Sequence, residues 1–127
     1  MATPTPCRVL VVDDDLDTAQ SLAYLLVGMG CEATFLTDPR QVMETVSRAK
    51  PQIIFLDLGM PTMDGWQVAR LLRERFPNGD GLRLVAISGR GDEDARIRSR
   101  KAGFDAHVTK PVAINLIEAI IKQMLDW

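Results

Sequence analysis

The 127-residue chain is predicted to form an α/β domain, a (βα)5 doubly wound arrangement around a parallel five-stranded sheet. Three observations carry this expectation. Five short apolar runs recur along the chain, longer segments with helical spacing separate them, and turn-forming residues mark the boundaries. With 46% hydrophobic and 25% charged residues, one core can form without disulfide support.

The apolar runs occupy residues 9–12, 33–36, 53–56, 82–87 and 106–108. Strings of Val, Ile and Leu without polar alternation fit strands covered on both faces. After the first run, Leu22, Leu25, Leu26 and Met29 repeat at helical spacing, and Gly28 and Gly30 end that helix. Asp38 followed by Pro39 reads as a cap and first helical position, leading to Val42 and Val46. Pro51 separates this second helix from the third strand. Val68, Leu71 and Leu72 mark a third helix, closed by the turn cluster Pro77-Asn78-Gly79-Asp80-Gly81. The basic stretch 96–101 reads as a solvated helix face. Leu116, Ile117, Ile120, Ile121 and Met124 define the last helix. Residues 1–7 are expected to be an N-terminal tail and 8–127 the domain, with Trp127 packed simply at the end.

Charge narrows the function. Fifteen Lys and Arg against 17 Asp and Glu give a net charge of -2, which lacks the broad basic field of a direct nucleic-acid binder. The N-terminus is no secretory signal and no apolar stretch reaches bilayer length, so a cytoplasmic protein without membrane contact is expected. Cys7 and Cys31 form no CxxC pair; each precedes an apolar strand, which can bring the two near each other, but they are read as free thiols of a reducing compartment.

In an open α/β sheet, ligands bind at the C-terminal strand ends. The polar residues that follow the apolar runs there are Asp13, Asp14 and Asp15, then Asp57, Ser88 and Lys110. Carboxylates crowded into one cleft repel each other and must take up protons or bind a cation. An oxygen-rich site of few ligands suits Mg²⁺, with Mn²⁺ the alternative. Asp15 and Asp17 are better read as charges favourable to the first helix dipole. An acid cluster, a hydroxyl and a lysine together make an inventory for phosphoryl transfer.

In these features the chain resembles the CheY-like response-regulator receiver domains, the phosphoacceptor modules of two-component signalling. The matching stretches are Val11-Val12-Asp13-Asp14-Asp15, the segment from Phe55 through Asp57, Gly59 and Pro61 to Gly65, Ala86-Ile87-Ser88-Gly89, Ala102-Gly103-Phe104-Asp105-Ala106 and Lys110-Pro111. The resemblance implies a flavodoxin-like strand order of 2-1-3-4-5. It implies a phosphoprotein rather than an enzyme, one that assists its own phosphorylation and dephosphorylation. Asp57 would receive the phosphoryl group from a histidine kinase or histidine phosphotransfer domain, and the altered surface would bind a downstream protein. Asp13, Asp14, Asp57 and the Gly59 backbone carbonyl would hold Mg²⁺. Lys110 would pair with a phosphoryl oxygen, Ser88 would move to bond another, Asp64 would cap a helix, and the bond before Pro111 would be cis.

His107 departs from the pattern, since relatives carry Tyr or Phe as the switch residue there. Two readings stand: a strand-end histidine with one nitrogen bonded and one solvated, or a switch whose packing depends on protonation. Gly59 leaves the flank of the phosphoryl group open, while Arg90 either reaches across it or extends into solvent.

Rival readings fit less well. A haloacid-dehalogenase-like phosphatase needs Asp-x-Asp-x-Thr after the first strand, and this chain has Asp17 where Thr is required. A calcium loop fails at Thr18 and Tyr24, where Gly and Glu are needed. A degenerate, docking-only receiver would lack the acid cluster, the nucleophile or the lysine. Nothing resembles a DNA-binding output domain, so a stand-alone receiver or a piece of a larger regulator is expected.

Overall fold

A computed structural model describes residues 7–77 and 81–125. The strands are β1 (Arg8–Val12), β2 (Glu32–Leu36), β3 (Ile53–Asp57), β4 (Arg83–Ser88) and β5 (Ala106–Thr109). They alternate with helices α1 (Leu16–Gly28), α2 (Val42–Ala49), α3 (Gly65–Arg75), α4 (Glu93–Ala102) and α5 (Ile114–Leu125). All pairings are parallel and the sheet order is β2-β1-β3-β4-β5. This is the doubly wound arrangement that the apolar runs predict.

The sheet separates two apolar layers. Leu10, Val12, Ile54, Leu56, Leu84 and Ala86 project toward α2, α3 and α4. Val9, Val11, Ile53, Phe55, Val85 and Val108 project toward α1 and α5. Every residue of β3 is buried, as a central strand between two helical layers requires. Burial of a large aliphatic or aromatic side chain is worth about 1.5–3 kcal/mol, so these layers dominate the fold energy.

Several boundaries differ locally from expectation. Asp38 accepts a hydrogen bond from the Arg40 amide at 3.0 Å, but it caps a 3₁₀ turn (Pro39–Gln41) that leads into α2 rather than α2 itself. Lys50 takes a left-handed conformation (φ 49°) to end α2, because Pro51 follows and cannot continue a helix. Leu71 and Leu116 are exposed, since Val68, Ala69 and Leu72 cover the inner face of α3 and Ile117, Ile120 and Ile121 that of α5. Cys7 belongs to the folded unit rather than to a tail: it is buried, and its carbonyl accepts the Glu32 amide at 2.7 Å. Asn78, Gly79, Asp80 and Trp127 lie outside the described residues. Among the described residues no helix is long and apolar enough to cross a membrane.

Candidate functional site

The site stands at the C-terminal edge of β1, β3, β4 and β5. Asp57 is the last residue of β3, and Asp13 follows the last residue of β1. Val12 pairs with Leu56 between these strands, so the two carboxylates emerge side by side. Asp13, Asp14 and Asp57 each offer an oxygen within 4.8 Å of the others. Asp13 and Asp57 are buried, at 4% and 3% exposure, while Asp14 is exposed. Asp15 and Asp17 stand apart from this cluster at the start of α1, and Asp15 accepts the Thr18 hydroxyl at 2.6 Å.

The local backbone orients each acid. The Asp15 amide donates to Asp13 Oδ1 at 3.0 Å, and the Gly59 amide donates to Asp57 Oδ1 at 2.9 Å. Lys110 Nζ reaches the same Asp57 oxygen at 3.2 Å. Two donors on one oxygen hold the rotation of the Asp57 carboxylate. Gly65 packs directly behind this loop, where a Cβ would meet Leu58 Cα at 3.0 Å and the Asp57 carbonyl at 3.2 Å. Asp64 caps α3 by accepting the Trp66 amide at 2.9 Å. The peptide bond between Lys110 and Pro111 is cis.

Electrostatics show a site short of positive charge. Burial pushes the Asp13 carboxyl up to about 6. The Asp15 amide pulls it down, the Asp57 carboxylate pushes it further up, and Lys110 offsets part of that. One lysine facing three carboxylates leaves an oxygen donor set suited to a hard divalent cation.

Ser88 ends β4, buried, and its hydroxyl accepts the Arg90 amide at 3.0 Å. Arg90 does not reach across the site. It turns away to form a forked pair with Asp92, the N-cap of α4, with bonds of 3.1 and 3.0 Å. His107 departs from its simplest expectation in one respect: both ring nitrogens are bonded and neither is left to solvent. Nε2 lies 2.7 Å from the Arg90 carbonyl, and Nδ1 lies 2.8 Å from Ser99 Oγ. A carbonyl only accepts, so Nε2 carries a proton; a neutral ring then accepts the Ser99 hydroxyl at Nδ1. Ser99 Oγ in turn accepts Trp66 Nε1–H at 3.1 Å, and the Arg98 guanidinium stacks 3.8 Å above the Trp66 ring. A polar relay therefore runs from α3 through α4 and β5 to the loop that follows Ser88. Trp66 and Ser99 were not singled out by sequence reasoning. The available signal was Ser99 itself, the single polar residue on the inward stripe of Ala95 and Ala102.

Comparison with known proteins agrees with this geometry. Residues 9–122 match the family described as response regulator receiver domain. The chain is 32% identical over 112 residues to an uncharacterised 14.6 kDa protein in the sodA1 3′ region of Leptolyngbya boryana, covering 88% of this chain and 85% of that one. It is 33% identical over 118 residues to the response regulator MprA of Mycobacterium leprae, covering 93% of this chain and 50% of MprA, so it spans about half the length of that relative. Similar solved structures include the receiver domain of Francisella response regulator 1452 (TM-score 0.85, 23% identity, 94% of this chain and 97% of that chain). A two-component response regulator from Clostridium difficile is equally alike (TM-score 0.86, 20% identity, 94% and 96% covered). At such identities these two structures speak for the fold alone. Receiver domains bind Mg²⁺ at an acidic pocket, and Asp13, Asp14 and Asp57 form a cluster that could hold a metal ion. The chain belongs to the response regulator receiver domain family, the signalling modules of two-component systems.

Proposed function

We propose that this chain accepts a phosphoryl group on Asp57 from a phosphohistidine of a histidine kinase or histidine phosphotransfer domain. The observation that carries this reading is the convergence of Asp13, Asp14 and Asp57 within 4.8 Å, with Lys110 on Asp57. A carboxylate oxygen of Asp57 attacks phosphorus as the bond to the donor imidazole breaks, and the leaving imidazole takes a proton. The product is an acyl phosphate.

Asp13, Asp14, Asp57 and the Gly59 carbonyl would hold a divalent cation, which neutralises charge on the nucleophile and on the transferred phosphoryl oxygens. Lys110 starts on Asp57 Oδ1 and needs only a short pivot to meet a phosphoryl oxygen. Ser88 leaves the Arg90 amide to donate its hydroxyl to another. Leu16 and Ile114, each 53% exposed, begin α1 and α5 on this rim and give a phosphodonor protein apolar surface to dock on.

The relay supplies the readout. Moving Ser88 releases the Arg90 amide, while His107 still holds the Arg90 carbonyl. The loop from Ser88 to α4 must then repack, and His107, Ser99 and Trp66 feel the change through a continuous set of hydrogen bonds. This assigns His107 as a latch on the resting loop.

Intact mass after incubation with Mg²⁺ and acetyl phosphate tests the reading. One added phosphoryl group is expected, absent in Asp57→Asn and lost on chelation. Labelling that survives either change would refute it.

A further inference from the structure

At the end of the sheet away from the carboxylates stand two nucleophilic groups that phosphoryl transfer does not use. Cys7 immediately precedes β1 and Cys31 immediately precedes β2. The ladder pairs Arg8 with Glu32, and the Glu32 amide bonds the Cys7 carbonyl, so one step back along the register the two cysteines face each other. Both side chains enter the same apolar cluster as Val9, Leu26, Ile117 and Ile121. Their exposures are 1% and 5%.

Adjacent strands run about 4.8 Å apart, inside the Cα separation of about 4.4–6.8 Å that a disulfide spans. The backbone spacing at this register therefore lies within the range that a disulfide spans. We propose that Cys7 and Cys31 form a two-electron redox site that closes to an intramolecular disulfide when a small disulfide such as oxidised glutathione reaches it. Cys31, the more exposed, attacks first; its proton is lost, one glutathione leaves as thiol, and a mixed disulfide remains. Cys7 then attacks the Cys31 sulfur and expels the second glutathione. Two protein thiols become one disulfide as one glutathione disulfide becomes two thiols.

The fold sets the rate of this exchange. Burial pushes the Cys7 thiol up to about 12 and raises that of Cys31 as well, so thiolate is scarce while the core is closed. Exchange must proceed through opening of the turn between α1 and β2, where Gly28 and Gly30 are exposed. The same cover protects the disulfide from reductants once formed. The bond encloses all of α1, tying its far end to the start of β1, and α1 begins beside the acid cluster.

The full chain with oxidised glutathione, in urea below the unfolding midpoint, tests the site. The expected product is lighter by two hydrogen atoms, yields a joined Cys7–Cys31 peptide on digestion, and forms faster as urea is raised. Its Tm should exceed that of the reduced protein by several degrees. Stable single glutathione adducts, disulfide-linked dimers, or unreacted thiols where amide exchange shows the turn opening would overturn the proposal. Cys7→Ser and Cys31→Ser should each stop at one adduct, and a first adduct that forms faster in Cys31→Ser than in Cys7→Ser would overturn the order of attack. If neither variant folds, the peptide map of the unmodified chain decides alone.

Discussion

Asp13 carries the electrostatic cost of the site. Its carboxyl is raised from 3.8 to about 6 in the folded protein, mainly by burial. The folded state thus binds more protons than the unfolded one between those values. The stability tied to this group is complete below about pH 4 and lost as pH rises through about 6. Asp13→Asn, which keeps an acceptor for the Asp15 amide, is expected to stabilise the metal-free protein on the order of 2 kcal/mol at about pH 8 and much less at about pH 4. Thermal melts in chelator at the two pH values check the sign. At His107, substitution by Ala strands the Arg90 carbonyl and removes a partner from Ser99. A loss of about 0.5–1.5 kcal/mol is expected, since Ser99 is buried but the exposed Arg90 carbonyl can turn to water. In a Trp127→Phe background the emission of Trp66 should shift when Asp57 is phosphorylated, and His107→Ala should abolish that shift. An unaltered shift would dismiss the latch.

Between elements, two features set the placement of the site. Arg73 of α3 donates to the Gly103 carbonyl at 2.9 Å, to the Leu82 carbonyl, and to Asp105 at 2.7 Å, and Asp105 also accepts the Leu84 amide. One guanidinium thus ties α3 to the end of α4 and to the entries of β4 and β5. Gly103, at φ 108°, ends α4 with no side chain, and a Cβ there would strike the Arg73 stem. Arg73→Ala is expected to cost about 2–4 kcal/mol, read by urea unfolding, with little effect on labelling of the folded fraction. Gly65→Ala should affect both labelling and stability. Its Cβ would press on the backbone of Leu58 and Asp57, so the phosphorylation rate should fall about tenfold or more, against a stability loss of about 1–3 kcal/mol.

Across the whole molecule, the parallel sheet brings the ends of β1, β3, β4 and β5 to one rim while two apolar layers hold the strands rigid. A divalent cation that binds only this folded rim must stabilise the entire domain. At a free Mg²⁺ concentration of about 100 times its Kd, a gain of about 2.7 kcal/mol is expected. Calorimetric Tm should therefore climb with Mg²⁺, and Asp14→Asn should blunt the climb while barely changing the metal-free Tm, since Asp14 is exposed.

Much of this was legible from order along the chain. A strand buried on both faces must be apolar throughout, so 9–12 and 53–56 announced themselves, and the polar residue that breaks each run marks the ligand-binding edge. Asp13, Asp57, Ser88 and Lys110 were found in that way. The relay of Trp66, Ser99 and His107 was not, because it depends on how α3 and α4 pack side by side, and lateral packing leaves no period in the sequence. The nearness of Cys7 and Cys31 was legible in part, since each precedes an apolar strand, but only the register of β1 and β2 sets them opposite each other. Local pattern decides which residues are buried and which stretches are strands; only the assembled sheet decides which side chains meet, because those contacts join residues far apart in the chain.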